Sequence, residues 1–377
     1  MTSRERVLKA LNFQEPDRIP ITDSPWGATI ERWWQEGLPK DVPPEEYFGF
    51  EITAFGADTT PMFPIRVLEE TDEYIVETTS TGGVRRNHKD YSTTPEIIDY
   101  PCKSREDWER LKPRLQPSKD RVDWTGQGLY GLYDEEVQAR HDRGRIPWYR
   151  GLDGCRKARA DGKFVCYSGA IGYDKLQSYV ATERLLMAII DEPDWVRDMY
   201  ETDADLNLAM YDVMVEGGYQ FDGAYMFCDL GYRNGLLFSP KHYEQQLHPV
   251  FKRVFGFFND RGLPVILHSC GRVKDLIPYF IDEGLRCLQP LEVKAGMDLI
   301  ELKQKWGKDL AFMGGIDVRA MADPNPHAIE EEIRRKIPVA MKGGSYIYHS
   351  DHSIPTNVSF QQFERTLALV RQYGVYR

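Results

Sequence analysis

The sequence predicts one α/β domain, a (β/α)₈ TIM barrel with an N-terminal β-hairpin and loop insertions, and three observations carry that prediction. Short apolar runs alternate with amphipathic segments of helical length through the second half, the signature of parallel strands joined by crossover helices. Each of those runs ends in polar residues, as barrel strands do where the active site sits. The chain has 377 residues with 41% hydrophobic content, and barrels routinely hold roughly 200–250 residues or more as one domain. A single domain over 1–377 is therefore expected, with insertions at about 60–95 and 123–160. The formal charge of −11 at pH 7 argues against a nucleic acid or an acidic membrane surface as partner.

From the start of the chain, Thr2 and Glu5 form a capping box ahead of Val7, Leu8 and Leu11, so an amphipathic helix opens the fold. No secretion signal and no apolar run long enough to span a bilayer are read, and a cytoplasmic location is expected. Arg18–Thr22, Ile52–Gly56 and Phe164–Ser168 read as the first three strands. Gly223–Phe227, Pro264–His268, Cys287–Leu291, Leu310–Ile316 and Tyr346–His349 complete eight, the number that closes a barrel. Helices are expected at Pro240–Phe258, Leu276–Asp282, Met297–Trp306, Pro326–Met341 and Phe360–Tyr373. Residues from about Ile65 to Arg86 read as a hairpin or meander turning at Thr81-Gly82-Gly83-Val84. The segment from about Asp123 to Ala160 has no clear period and reads as a lid, a docking surface or a long packed loop. Cysteines 102, 155, 166, 228, 270 and 287 are scattered and contain no C-x-x-C pair, so they read as free thiols, with one or two as ligands at most.

The chemistry gathers at the strand ends. The run Pro264–His268 leads into Ser269 and Cys270, and residues i and i+2 of a strand point the same way, so His268 and Cys270 can hold one ion. Imidazole with thiolate suits Zn²⁺, although a buried histidine and an inert cysteine would also explain the pair. Glu292 ends the next strand, Asp317 the one after, and His349, Asp351 and His352 the last. His268, Cys270, Glu292 and His352 would supply an N, S, O, N set, or three ligands with one open position. A salt bridge to an arginine is the other reading of Glu292, and loop hydrogen bonding that of His349 and His352. Asp351 or Asp317 could accept an imidazole N–H. After Gly223–Phe227 come Asp229, Tyr232, Arg233 and Asn234, placed to bind a polar substrate before a helix capped by Ser239 and opened by Pro240. Asp58 is either a lone carboxylate on this face or an Asx-turn residue.

Several stretches resemble the uroporphyrinogen decarboxylase superfamily over essentially the whole chain, most weakly from about 60 to 160. They are Arg4 to Leu11 with Asp17-Arg18-Ile19-Pro20, Asp229 with Leu237-Phe238-Ser239-Pro240, His268-Ser269-Cys270-Gly271, Leu288 to Glu292, and Met313 to Asp317. The resemblance implies a TIM barrel from a superfamily that contains metal-free decarboxylases and zinc-dependent, corrinoid-linked methyltransferases. True uroporphyrinogen decarboxylases carry an arginine-rich motif near the first strand; here Ile19 to Gly27 holds no arginine. The methyltransferase branch has His-x-Cys, matched by His268 and Cys270, and a further cysteine on the last loop, where this sequence has His352. The decarboxylases also place a histidine there. In the related cobalamin-independent methionine synthases a glutamate follows on the next strand, and Glu292 falls at a matching place.

The resemblance thus implies a zinc enzyme that moves a methyl group between a small substrate, such as a methyl ether, and a corrinoid. Cobalamin would sit on a separate corrinoid protein, because the Asp-x-His-x-x-Gly signature is incomplete: His141 and Gly144 are present, but Ala139 replaces the aspartate. The partner would dock over the mouth, where Trp124, Tyr130, Tyr133, Trp148 and Tyr149 would suit an aromatic ether or simply pack. A homodimer is compatible with the sequence as well. Asp229, Asp317 and Asp58 are the candidate catalytic carboxylates; Arg233, Asn234, Tyr232 and His349 are the candidate substrate contacts. The rival enzyme is a metal-free decarboxylase or lyase acting on a small carboxylate with Asp58, Asp229 and His352. A retired barrel that only binds is disfavoured by the intact polar strand ends.

Overall fold

Each apolar run becomes one strand of a curled parallel sheet. The computed structural model describes residues 1–89, 94–126 and 151–377. Seven strands pair in chain order, every pair parallel: β1 (Ile52–Gly56), β2 (Phe164–Ala170), β3 (Gly223–Phe227), β4 (Val265–His268), β5 (Cys287–Gln289), β6 (Ala311–Met313) and β7 (Tyr346–Ile347). Residues 20–22 lie between β7 and β1. Tyr348 N donates to Pro20 O at 2.9 Å, Thr22 N to Tyr348 O at 3.1 Å, and Glu51 N to Ile21 O at 2.9 Å. The eighth strand expected at Arg18–Thr22 is therefore present as bridges rather than a ladder. Pro20 has no N–H to donate, and the Ile21 N–H goes to the Glu51 carboxylate at 2.7 Å.

The period of two along each strand sorts the core into two layers. Phe164, Cys166, Ile266, Cys287, Met313 and Ile347 face inward with Val7, Ala10 and Leu11 of the first helix (Ser3–Leu11). Val165, Leu267, Leu288, Phe312 and Tyr346 face outward into the larger core shared with the surrounding helices. The Thr2–Glu5 capping box forms as expected, and its helix packs against the inner layer. Val7 and Leu11 are fully buried there, each worth roughly 1.5–3 kcal/mol by apolar transfer. The same alternation turns His268 inward after Ile266, Gln289 after Cys287, and His349 after Ile347.

The last three strands, β5, β6 and β7, stop short of their expected far ends, whereas β2 runs on to Ala170, past the expected Ser168. Gln289–Pro290 is a cis bond, and β5 stops before it. β6 stops at Met313 because the chain turns at Gly314 (φ 119°), where a Cβ would lie 1.9 Å from Pro290 O. The helix expected at Pro240–Phe258 spans Pro240–Asn259 with a π-turn at Tyr243–Leu247, just ahead of Pro249, which lacks an N–H. The expected hairpin is a four-stranded antiparallel meander, Val67–Glu70, Tyr74–Thr78, Val84–His88 and Glu96–Asp99. Further helices separate β1 from β2 or β2 from β3, among them Leu152–Ala160, Gly172–Val180, Thr182–Asp191 and Pro193–Glu216. The first of these corrects the reading of 123–160 as wholly irregular. Ala139, His141, Gly144, Tyr130, Tyr133, Trp148 and Tyr149 lie outside the described residues. Trp124 is inside them and packs edge-on against Tyr219, with ring centroids 5.8 Å apart. Among the described residues no helix is long and apolar enough to cross a membrane.

Candidate active site

His268 reaches the barrel mouth as the last residue of β4, and Cys270 follows two residues on. The Cys270 Sγ lies 3.2 Å from His268 Nε2. Asp229, two residues beyond β3, accepts the Cys270 N–H at 2.8 Å and stands 3.5 Å from His268 Nε2. The loop can turn so tightly here because Gly271 (φ 79°) has no side chain: a Cβ would lie 2.3 Å from the Gly231 carbonyl carbon. Glu292 arrives from the loop after β5, buried, with Lys294 Nζ at 3.9 Å. His352 arrives from the loop after β7, its ring edge-on to Trp26 at 6.3 Å.

These side chains form two overlapping donor triads, Asp229/His268/Cys270 and Cys270/Glu292/His352, with the donor atoms of each within 4.8 Å of one another. Cys270 belongs to both. Burial, then the Asp229 and Glu292 carboxylates, pushes its thiol up, while burial lowers the His268 imidazole against the pull of Asp229. A neutral imidazole and a thiol flanked by carboxylates are what a divalent cation would recruit, releasing the thiol proton as it binds. Sulfur, nitrogen and oxygen donors in this mixture suit zinc.

The other expected residues divide. His349 is buried and lies in neither triad; its Nδ1 is 2.8 Å from Ser350 O and 3.5 Å from Asp23 Oδ1, and its Nε2 is 3.3 Å from Ser24 Oγ. Tyr232 ends the first strand of a two-stranded hairpin, Gly231–Tyr232 with Gly235–Leu236, and Arg233 and Asn234 are its exposed turn. That hairpin flanks the Cys270 loop, with Arg272 N donating to Tyr232 O at 3.0 Å, so all three residues stand at the rim. Asp317 lies in neither triad. It caps the helix Val318–Ala322, accepts the Arg319 N–H at 2.9 Å and pairs with the Arg319 guanidinium at 2.7 Å. Asp351 is a loop clamp, taking Val293 N and Val318 N at 2.9 Å each. Neither carboxylate is the acceptor for His268. Asp58 forms the Asx-turn, with Oδ1 taking Thr60 N at 2.7 Å.

Sequence reading missed Gln289, which does face His268: its Oε1 is 2.5 Å from His268 Nδ1. The period of two inward from Cys287 was the available signal. It also missed Asp174 and Lys175 in the first turn of the helix Gly172–Val180, just after β2. Burial and then Asp229 push Asp174 up to about 6. Lys175, buried, donates to Thr59 Oγ1 at 3.0 Å, and burial lowers its ammonium.

The uroporphyrinogen decarboxylase (URO-D) family model matches residues 155–373, more than half of the chain and the whole run of strand ends from β2 onward. The chain belongs to the uroporphyrinogen decarboxylase family. No curated protein matches its sequence. Among solved structures, a methyltransferase from Methanosarcina mazei superposes with a TM-score of 0.62 at 15% identity, covering 99% of both chains; at that identity the likeness is one of fold. A protein from Bacteroides thetaiotaomicron described as an alpha-L-fucosidase aligns over 95% of this chain and 94% of its own at 11% identity, with a TM-score of 0.37, too loose to argue from. In this uroporphyrinogen decarboxylase family barrel the arginine beside the first barrel segment, Arg18, is held by Glu51 at 2.8 Å.

Proposed function

We propose that this family member is a zinc-dependent methyltransferase, moving a methyl group between a small substrate, a methyl ether by preference, and a corrinoid carried by a separate protein. The observation that carries the reading is the sharing of Cys270 between two donor triads at the mouth of the barrel. His268, Cys270, Glu292 and His352 would hold the ion, and zinc so bound would supply a Lewis acid for the heteroatom that gains or loses the methyl group. A shell with one thiolate and one carboxylate keeps more positive charge on the ion than three thiolates would, which favours ether activation over thiolate delivery. Asp229 holds the Cys270 backbone and offers its exposed carboxylate edge to the mouth. Asp174 and Glu292 share that acidic rim, where a leaving oxygen could take a proton. The fold likeness to a methyltransferase over nearly the full length of both chains supports the reading.

The test is metal content of the purified protein by plasma mass spectrometry, beside Cys270→Ala. About one zinc per chain, lost in the variant, is expected, followed by demethylation of methyl ethers when a cob(I)alamin acceptor is supplied. A protein that takes up no zinc under reducing conditions would return the choice to a metal-free decarboxylase working through Asp58, Asp229 and His352.

A further inference from the structure

The hydrogen-bond pattern fixes which nitrogen of His268 is free, starting from a backbone carbonyl on the far side of the barrel. Ser350 O can only accept, so at 2.8 Å it takes a hydrogen from His349 Nδ1. A neutral imidazole with its hydrogen on Nδ1 offers a lone pair at Nε2, and Ser24 Oγ, 3.3 Å away, can donate to it. Gln289 Nε2 lies 3.4 Å from that same His349 nitrogen, so the amide must present its NH₂ there. Its carbonyl end is then the one that faces His268 Nδ1 at 2.5 Å. A carbonyl accepts, hence His268 carries its hydrogen on Nδ1 and leaves the Nε2 lone pair toward Cys270 Sγ at 3.2 Å.

We infer that Gln289 is a positioning residue that sets the tautomer of His268, through a one-way chain from Ser350 O by His349 and its own amide, so that Nε2 is free for the metal. The inference rests on the metal-site reading for its purpose, but the tautomer itself does not. The alternative arrangement has a competitor in place: Asp229, 3.5 Å from His268 Nε2, would draw the hydrogen to that nitrogen if nothing held it on the other. Gln289 is buried and inward-facing, the last residue of β5 beside His268 in register. Both ends of its amide are therefore placed by strand pairing rather than by a mobile loop. Partners that orient a ligating imidazole typically change metal affinity roughly 10–100-fold when removed.

The experiment uses ¹⁵N-histidine-labelled full-length protein without metal, read by long-range ¹H–¹⁵N NMR, with the His268 signals assigned by their loss in His268→Asn. His268 and His349 are both expected as the Nδ1–H tautomer. In Gln289→Leu, His268 should shift toward Nε2–H, and Co²⁺ affinity, read from its thiolate charge-transfer band, should fall roughly 10–100-fold. Gln289→Glu keeps an acceptor for His268 but loses the donor to His349, so it should restore the first tautomer and disturb the second. Thermal unfolding of each variant shows whether the fold survives. A wild-type His268 found as Nε2–H overturns the inference, as does a folded Gln289→Leu whose His268 tautomer is unchanged. If the protein binds no Co²⁺ yet shows the expected tautomers, the metal reading fails and the positioning role stands.

Discussion

At the scale of single residues, the decisive distinction is between carboxylates that have hydrogen-bond partners of their own and those that have room to act. Asp317 and Asp351 sit in segments that resemble a catalytic family, yet each holds backbone N–H groups in place, Asp317 at a helix start and Asp351 between two loops. Asp229 also accepts one N–H, but keeps a substantial part of its side chain exposed beside His268 and Cys270. Asp317→Ala should therefore cost stability and leave chemistry nearly intact: about 1 kcal/mol from the lost cap, with kcat for methyl transfer within about threefold of wild type, a shift worth less than 1 kcal/mol in the barrier. Urea unfolding and steady-state rates check the two halves separately. A collapse of kcat with unchanged stability would reinstate Asp317 as catalytic. Sequence could not make this distinction, because the cap and the catalytic base share one residue type at one position, and only the fate of the Arg319 guanidinium separates them.

At the scale of elements, the strands were legible because buried parallel strands are apolar runs with sharp ends, and five of the expected helices were legible because each has one wet face. The helices between β2 and β3 were not. Pro193–Glu216 buries Trp195, Tyr200, Asp203, Asn207 and Tyr211 among others, so polar and aromatic residues interrupt the stripe that marks a surface helix. The closing segment was legible as an extended stretch, but its hydrogen bonding depends on charges that pattern alone does not place. Glu51, buried just before β1, takes Arg6 from the first helix, Arg18 at 2.8 Å and the Ile21 N–H, tying both ends of the sheet to the helix that packs on the inner layer. Glu51→Ala would leave the buried Arg6 with Asp17 alone and take the carboxylate from the half-buried Arg18 and from the Ile21 N–H, and should cost about 1–3 kcal/mol, seen as a lower urea midpoint with an unchanged slope. Arg6 also binds Asp17, and its hydrogen bonds hold that carboxyl down to about 2 from an ordinary 3.8. Because the folded value is the lower one, this contribution is present above about pH 3.8 and is lost as pH falls through about 2. Asp17→Asn should flatten the stability profile in that window, and an unchanged acid limb would show that the pair adds nothing measurable.

At the scale of the whole molecule, the position of charge argues for one branch of the family over another. The site was legible as far as single strands reach: His268-x-Cys270, Glu292 and His352 are strand-end residues, and barrel geometry brings strand ends together. Gln289, Asp174 and Lys175 escaped because their significance lies between strands, in a contact to a histidine on β4 or a carboxylate beyond β3. Taken together, the described mouth is acidic, with Asp58, Asp174, Asp229 and Glu292 around it on a chain of net charge −11. Its buried cations already have partners. Lys175 holds Thr59, and Arg121 donates to the carbonyls of Gln116, Asp58, Thr60 and Arg114. Arg18 points to the opposite end of the barrel, onto Glu51. A substrate bearing four carboxylates would meet these four carboxylates with Arg233 at the rim as an offset among the described residues, and like-charge contacts of this kind cost several kcal/mol. Uroporphyrinogen should accordingly give no coproporphyrinogen above the enzyme-free rate, whether or not zinc is supplied, while neutral methyl ethers remain substrates. Zinc-independent decarboxylation of uroporphyrinogen would overturn the electrostatic case for methyl transfer.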